Sequence, residues 1–330
     1  SIIGYLRYRP APRPRNPTYH AADITVVVAT TDIMSKTFHH VVTSILRHPI
    51  HQLIIPAAGL VAREQIATFQ TIVQDQRLLV LYSNEVSRRK QTALAMPHVQ
   101  TSLFITQDDH TYWPANPWFV QSIVAPFEDP STGGVGTALV ARHRQHSTSF
   151  SGFWNFLGMT YLAQRFQRHY LNDYLWLSKV PLNADDDKFH TRWLIEHGWK
   201  IKHQDGPDST MMTELGEWPK FNEQVLRWTR TTWRQNPRQL MHKMAWTRHP
   251  YTMFTLVVWF LRMSIIQETA MFWLLYKSLA ETSRLGYFRP ATLFLMIWII
   301  ALKAIKILPH FKKHPQDFIY FPGYLVFGYW

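Results

Sequence analysis

Two acidic runs hold the residue types best suited to chemistry in this chain. Gln107-Asp108-Asp109-His110 directly follows the short apolar run Leu103–Ile105. A carboxylate at a strand end can hold Mg²⁺ or Mn²⁺ against phosphate oxygens. An acidic turn or a helix N-cap would use the same residues. The second run, Asp185-Asp186-Asp187, precedes Lys188-Phe189-His190-Thr191-Arg192-Trp193. Three adjacent carboxylates repel one another, and the crowding raises the pKa of one of them, which suits a general base. An acidic helix start explains the trio equally well.

Three further groups are weaker alone. Gln224, Arg227 and Trp228 fall on one face if Gln224–Gln235 is helical. Arg can hold a diphosphate and Trp can stack on a sugar ring; a surface helix with an interfacial Trp has the same pattern. Ser87-Arg88-Arg89-Lys90 is a basic helix start that could approach phosphates, though such a run is commonly a solvated face. Ala29-Thr30-Thr31-Asp32 follows the first strand candidate, where a plain turn is the alternative to a ligand edge.

The elements that must position these residues alternate in type. Ile24–Ala29 is a continuous β-branched run, as expected of a strand buried on both faces. Phe38–Leu46, Gln65–Val73 and Arg88–Met96 have helical spacing; Leu53–Ile55, Leu78–Tyr82 and Leu103–Ile105 read as strands. This alternation predicts an α/β fold with a mostly parallel sheet and helices on both faces. Ligands in such sheets bind beyond the carboxyl ends of the strands, where the acidic pair after Ile105 sits. Ala11–Pro17, rich in Pro and Arg, reads as an extended linker.

The second half changes character. Phe153–Phe166 and Phe189–His197 are helical by spacing, and Gln224–Gln235 suits an amphipathic helix at a membrane surface. Met253–Tyr276 is long enough to span a bilayer but is interrupted by Arg262 and Gln267-Glu268. Ala291–Leu308 is cleaner, and Lys303 and Lys306 near its end are expected to snorkel. Phe318–Trp330 opens a third apolar stretch. Charged residues make up only 17% of the 330, below the roughly 25% of ordinary soluble domains. That balance fits a water-facing domain joined to membrane segments. The net charge of +13 suits phosphorylated substrates, anionic lipid or nucleic acid; no nucleic-acid motif of the usual kinds is present. With no cysteine, disulfides and thiolate metal sites are excluded.

In this order the motifs resemble family 2 glycosyltransferases of the processive kind, related to hyaluronan, chitin and cellulose synthases. The likeness is closest to fungal type 2 glycosyltransferases, the capsular-polysaccharide-synthase-like group. Thr30 and Asp32 end the first strand, and Arg88 and Arg89 start a basic helix. Asp-Asp-His follows, with Trp113-Pro114 close behind, then Gly133-Gly134-Val135-Gly136-Thr137, Asp-Asp-Lys-Phe-x-Thr-Arg-Trp and Gln-x-x-Arg-Trp before apolar helices.

The resemblance implies a catalytic domain of glycosyltransferase-A type over residues 18–215, after a membrane-proximal linker over 1–17. Interfacial helices carrying Gln-x-x-Arg-Trp would cover 216–250, and a transmembrane region 251–330. It implies that Asp109 holds Mg²⁺ or Mn²⁺ and that Thr30, Asp32, Arg89 and Asp108 contact the nucleotide of a UDP-sugar. Asp187 would be the base, supported by Asp186, and Gln224, Arg227 and Trp228 would hold the pyrophosphate and acceptor. The implied product is an extracellular or cell-wall polysaccharide, made by an integral membrane enzyme of the plasma membrane with its catalytic domain in the cytoplasm.

Two departures stand out. Gln107 takes the place where the family commonly has its first Asp. The Ser-Gly and Tyr-Arg stretch that shapes the acceptor site is missing between Gln167-Arg168-His169 and Pro181-Leu182-Asn183; either the protein lacks that loop or residues are missing there. A single-sugar transferase acting on a lipid acceptor therefore stands as the alternative, and a non-enzymatic membrane scaffold binding anionic partners is the reading from another class.

Overall fold

The protein is described by a computed structural model that defines residues 9–143, 149–166, 193–241, 243–248, 250–260 and 263–329. The chain forms two compact units: residues 1–142, 170–214 and 228–245 belong to the first, and residues 143–169, 215–227 and 246–330 to the second.

The first unit is built on alternating strands and helices. These are β1 (Ile24–Val28), α1 (Lys36–Leu46), β2 (Gln52–Ala58), α2 (Leu60–Ile72), β3 (Leu78–Ser83), α3 (Arg88–Ala95) and β4 (Leu103–Gln107). The four strands form one parallel sheet in the order β3-β2-β1-β4. β1 is buried at every position, as its unbroken β-branched run requires. α1 starts where the Ser35 hydroxyl accepts the Phe38 N–H at 3.2 Å, filling one of the helix's unpaired donors. Its Phe38, Val41, Val42 and Ile45 recur at helical spacing and are buried in the core. Each such side chain stabilises the fold by about 2 kcal/mol. Phe69 of α2 packs on Phe38 with ring centroids 5.9 Å apart.

β2 runs past its expected end. Pro56 reads as a breaker, yet the strand continues to Ala58, with Pro56 in register with Leu81 of β3. The missing N–H is tolerated because the Pro56 carbonyl does the bonding, accepting from Thr30 N at 3.3 Å. Gly59 then turns the chain into α2 with φ of 110°, a conformation that a side chain would strain.

The remainder of this unit is arranged around two small sheets. β5 (Thr111–Tyr112), α4 (Phe119–Val124), β6 (Thr132–Thr137) and β7 (Leu139–Ala141) follow in order. After α5 (Phe150–Phe166), which belongs to the second unit, come β8 (Lys200–Gln204) and β9 (Met211–Thr213). β6, the Gly-Gly-Val-Gly run, pairs with β8, and β9 lies between β5 and β7. The expected N-terminal linker is tied down. Gln204 donates to the Ala11 carbonyl at 2.8 Å and accepts the Ala11 N–H at 2.9 Å, and the Arg13 guanidinium lies over Trp118. Of the expected helix Phe189–His197, residues 193–197 are described; 193–196 are helical and His197 lies in the turn that follows.

α6 (Lys220–Leu240) begins in the second unit and ends in the first; α7 (Lys243–Arg248), α8 (Pro250–Phe260), α9 (Ser264–Glu281), α10 (Phe288–Lys313) and α11 (Phe321–Phe327) complete the chain. In the second unit, Phe156 and Leu157 of α5 are buried. Phe156 stacks on Phe311 of α10, and Trp154 stacks on Trp218. At Gly323 an added Cβ would fall 2.5 Å from the Phe153 ring, so this close packing of α11 needs a residue without a side chain. Beside it, Phe153, Gly323, Val326, Phe327 and Tyr329 line an open apolar groove of about 540 Å³.

The apolar C-terminal stretches resolve differently from their sequence pattern. Among the described residues one helix, Leu285–Lys313, is long and apolar enough to cross a membrane. Leu293, Phe294, Ile297 and Trp298 are more than half exposed along it, an apolar surface that suits lipid. Met253–Tyr276 is not one span but parts of α8 and α9, and Phe318–Trp330 contains a short 3₁₀ turn and α11. Lys303 does not snorkel. Its ammonium sits 3.0 Å from Glu268 of α9 and over the Tyr329 ring. Glu268, which reads in sequence as an interruption, supplies the counter-charge that lets the lysine stay inside.

Candidate functional site

The strand order of the parallel sheet reverses at β1: from β1 the chain crosses to β2 on one side, and β4 enters on the other. A crevice beyond the carboxyl ends of strands at such a reversal is where α/β sheets bind ligands. Thr30 follows β1 and Asp109 follows β4. The Thr30 hydroxyl donates to Asp109 Oδ2 at 3.0 Å, closing this crevice with a single hydrogen bond. The same hydroxyl oxygen accepts the Asp32 N–H at 3.2 Å. His110 Nδ1 lies 3.0 Å from the other Asp109 oxygen.

These partners set the charge of Asp109. Burial pushes its carboxyl up, but the His110 hydrogen bond and charge, the Thr30 hydroxyl and the Arg88 charge outweigh that and hold it below its ordinary value. The group is therefore a carboxylate at neutral pH, as a metal ligand must be. Asp108 points to a different partner and forms an ion pair with Arg88 of α3. The basic helix start thus divides: Arg88 reaches the acidic pair, Arg89 lies on the same first turn, and Lys90 pairs with Glu85. Asp32 is exposed at the rim.

Gln107 faces inward and is buried. Its amide donates to the Thr111 carbonyl at 2.9 Å, and its oxygen accepts the Trp113 indole N–H at 2.5 Å. Both ends of the amide are used in shaping the 107–113 turn, so the side chain is turned away from the crevice. Sequence reasoning singled out this position as a lost ligand; its burial makes it a structural clamp. Trp113 in turn packs on Phe119 and His48, so the turn carrying Asp108 and Asp109 is anchored in the aromatic core.

Gln91 of α3 was missed by sequence reasoning. It is buried and donates to the Thr30 carbonyl at 2.9 Å and the Pro56 carbonyl at 2.7 Å. Its one sequence signal is a polar residue four positions before Ala95, on the inner face of the helix.

The remaining expected residues are not brought to Asp109 by any described contact. Asp186 and Asp187 lie outside the described residues. Gln224, Arg227 and Trp228 share one face of α6 as expected; Gln224 Oε1 accepts the Gly216 N–H at 3.3 Å and Arg227 is exposed.

No family model matches the chain. It is 29% identical over 371 residues to a type 2 glycosyltransferase of Zymoseptoria tritici, covering 100% of this chain and 75% of that protein. It is 26% identical over 359 residues to a type 2 glycosyltransferase of Pyricularia oryzae, covering 98% and 73%. The NDP-glycosyltransferase ltbB of Aspergillus luteorubrus is 24% identical over 303 residues, covering 78% and 72%. The first alignment is longer than the 330 residues of this chain, so that relative carries stretches this chain lacks. Among solved structures, the mannosyltransferase PcManGT of Pyrobaculum calidifontis, determined in complex with GDP-Man and Mn²⁺, superposes with a TM-score of 0.51 at 13% identity. The match covers 99% of this chain and 92% of that one. Over nearly its whole length the chain is a homologue of the fungal type 2 glycosyltransferases, on an α/β fold of glycosyltransferase-A type.

Proposed function

We propose that this protein is a metal-dependent family 2 glycosyltransferase that moves a sugar from a nucleotide sugar to an acceptor hydroxyl with inversion. The hydrogen bond from Thr30 to Asp109 across the strand-order reversal carries this reading. It places an ionised carboxylate, a hydroxyl and, through Asp108, a guanidinium at the edge where such sheets take nucleotides.

The residues fit a divalent ion of the Mg²⁺ or Mn²⁺ type. Such ions in nucleotide sites are held by one or two carboxylates and the substrate phosphates, not by an all-protein cage. Among the described residues no group of three or more His, Asp or Glu forms a cage, whereas Asp109, with Asp108 beside it, is a donor set of the required kind. A bound ion there would offset charge on the leaving diphosphate.

The protein's own groups then divide the work. Thr30, Asp32, Arg89 and Asp108 contact the nucleotide. Asp187, supported by Asp186, takes the proton from the acceptor hydroxyl as its oxygen attacks the anomeric carbon. The bond from that carbon to the diphosphate breaks on the opposite side, and Arg227, with Gln224 and Trp228, receives the pyrophosphate near the acceptor. These roles rest on the sequence motifs. UDP is the nucleotide that the likeness to polysaccharide synthases implies. Leu285–Lys313 supports a membrane location; a cytoplasmic active site fits where nucleotide sugars are made, and the plasma membrane fits the likeness to polysaccharide synthases.

The acceptor has two readings. A growing polysaccharide follows from the likeness to processive synthases. A single transfer to a lipid is favoured by the missing stretch between Gln167 and Pro181. Incubating detergent-purified protein with a panel of nucleotide sugars, Mn²⁺ and a lipid extract, and measuring nucleotide release and product length, separates them. A ladder of products supports polymerisation and one added sugar on lipid supports the second reading. Absence of transfer from every donor contradicts both.

A further inference from the structure

Gln91 touches nothing that reacts, yet it is 2% exposed and its amide donates to two carbonyls, one in the segment after β1 and one in β2. The ladder between β1 and β2 ends at Val27–Ile54, and beyond it only the bridge Thr30–Ala57 continues. There Thr30 N donates to the Pro56 carbonyl at 3.3 Å and Ala58 N donates to the Thr30 carbonyl at 3.0 Å. Gln91 adds a second donor to each of those two carbonyls and so fastens the segment after β1 to the end of β2. Because α3 also presents Arg88 to Asp108, one helix fixes both sides of the crevice.

The segment held in this way carries the Thr30 hydroxyl that donates to Asp109 and accepts from Asp32. We propose that Gln91 is a positioning residue of the donor site. It holds Thr30, and through the Thr30 hydroxyl the Asp109 carboxylate, in the orientation that takes a divalent ion and a nucleoside diphosphate. This rests on the metal-dependent transferase reading above. A side chain that merely glued α3 to the sheet would affect stability and leave ion affinity alone. Groups that orient a ligating carboxylate are different: their loss typically weakens metal affinity by about tenfold or more.

Gln91→Met keeps the length of the side chain and removes both donors. Mn²⁺ binding in the presence of UDP is followed by electron paramagnetic resonance on detergent-purified full chain, beside wild type, Asp109→Asn and Ile45→Val. The last is a core variant on α1, outside the contacts that join Gln91, Thr30 and Asp109, that controls for lost stability. Gln91→Met is expected to weaken Mn²⁺ binding about tenfold and raise the donor KM similarly, with kcat within about twofold. Ile45→Val should leave Mn²⁺ binding unchanged. Should Gln91→Met fail to fold, Gln91→Asn keeps the amide but falls one methylene short, and it is expected to weaken binding by a smaller factor. Wild-type Mn²⁺ affinity in the Gln91 variant, with binding lost in Asp109→Asn, overturns the positioning role alone. Wild-type affinity in Asp109→Asn overturns the underlying metal site and this role with it.

Discussion

Thr30 and Asp109 lie 79 positions apart in sequence and meet through one 3.0 Å hydrogen bond where the strand order of the sheet reverses. Neither residue is remarkable alone: a threonine after a strand and an aspartate in a turn are ordinary. The parallel pairing of β1 with β4, with Val28 opposite Gln107, brings the two strand ends together.

Thr30→Val tests that contact with almost no change of shape. It removes the donor to Asp109 and the acceptor for the Asp32 N–H. Stability should fall by about 2 kcal/mol, the net contribution of two such hydrogen bonds. The donor KM should rise several-fold, about threefold to tenfold, with kcat less affected. Steady-state kinetics and a urea titration of the same preparation check both; an unchanged KM would remove Thr30 from the donor site.

Gln107→Asp writes the family's usual acid into this chain and should make the protein worse. A carboxylate has no N–H to donate to the Thr111 carbonyl, it is one methylene too short for the Trp113 indole, and it places a charge where the side chain is buried. A cost of about 3 kcal/mol is expected from the unmet partners and the buried charge, with no gain in donor affinity. Thermal melting and donor binding by calorimetry report the two effects separately. Tighter donor binding in this variant would mean that position 107 faces the ligand after all.

His48 makes the first unit sensitive to mild acid. Burial lowers its pKa, and the nearby Arg47 charge lowers it further, against a raising contribution from the Pro114 carbonyl. That carbonyl accepts from Nε2 at 3.0 Å. In the unfolded chain the imidazole binds a proton below about pH 6.5, whereas the native protein keeps it neutral to lower pH. Stability contributed by His48 is therefore full above that pH and falls as pH drops from about 6.5 toward the lower native value. His48→Gln, which can still donate to Pro114, should flatten the dependence of melting temperature on pH in this range. An unchanged slope would assign the acid sensitivity to other histidines.

The parts of this molecule legible in sequence were those in which one signal dominates. The β-branched run of β1 and the i, i+3, i+4, i+7 apolar positions of α1 were enough to place both. Signals of opposite sense hid other elements. Pro56 masks the end of β2, because its carbonyl rather than its missing N–H makes the bonds there. Glu268 and Lys303 looked like flaws in apolar helices, whereas each is the other's counter-charge. In the site, Asp109 and Thr30 were visible as strand-end residues. Gln91 and the inward turn of Gln107 were not, since a buried amide and a ligand-facing one have the same letter. Only the tertiary contacts distinguish them.

Nucleotide release from a panel of UDP- and GDP-sugars by detergent-purified protein with Mn²⁺, with wild type beside Asp109→Asn and Asp187→Asn, tests the transferase reading most directly. Release with one donor is expected, abolished by chelation of the metal and reduced at least about 100-fold in each variant. Release that survives in both variants, or that needs no divalent ion, would contradict it.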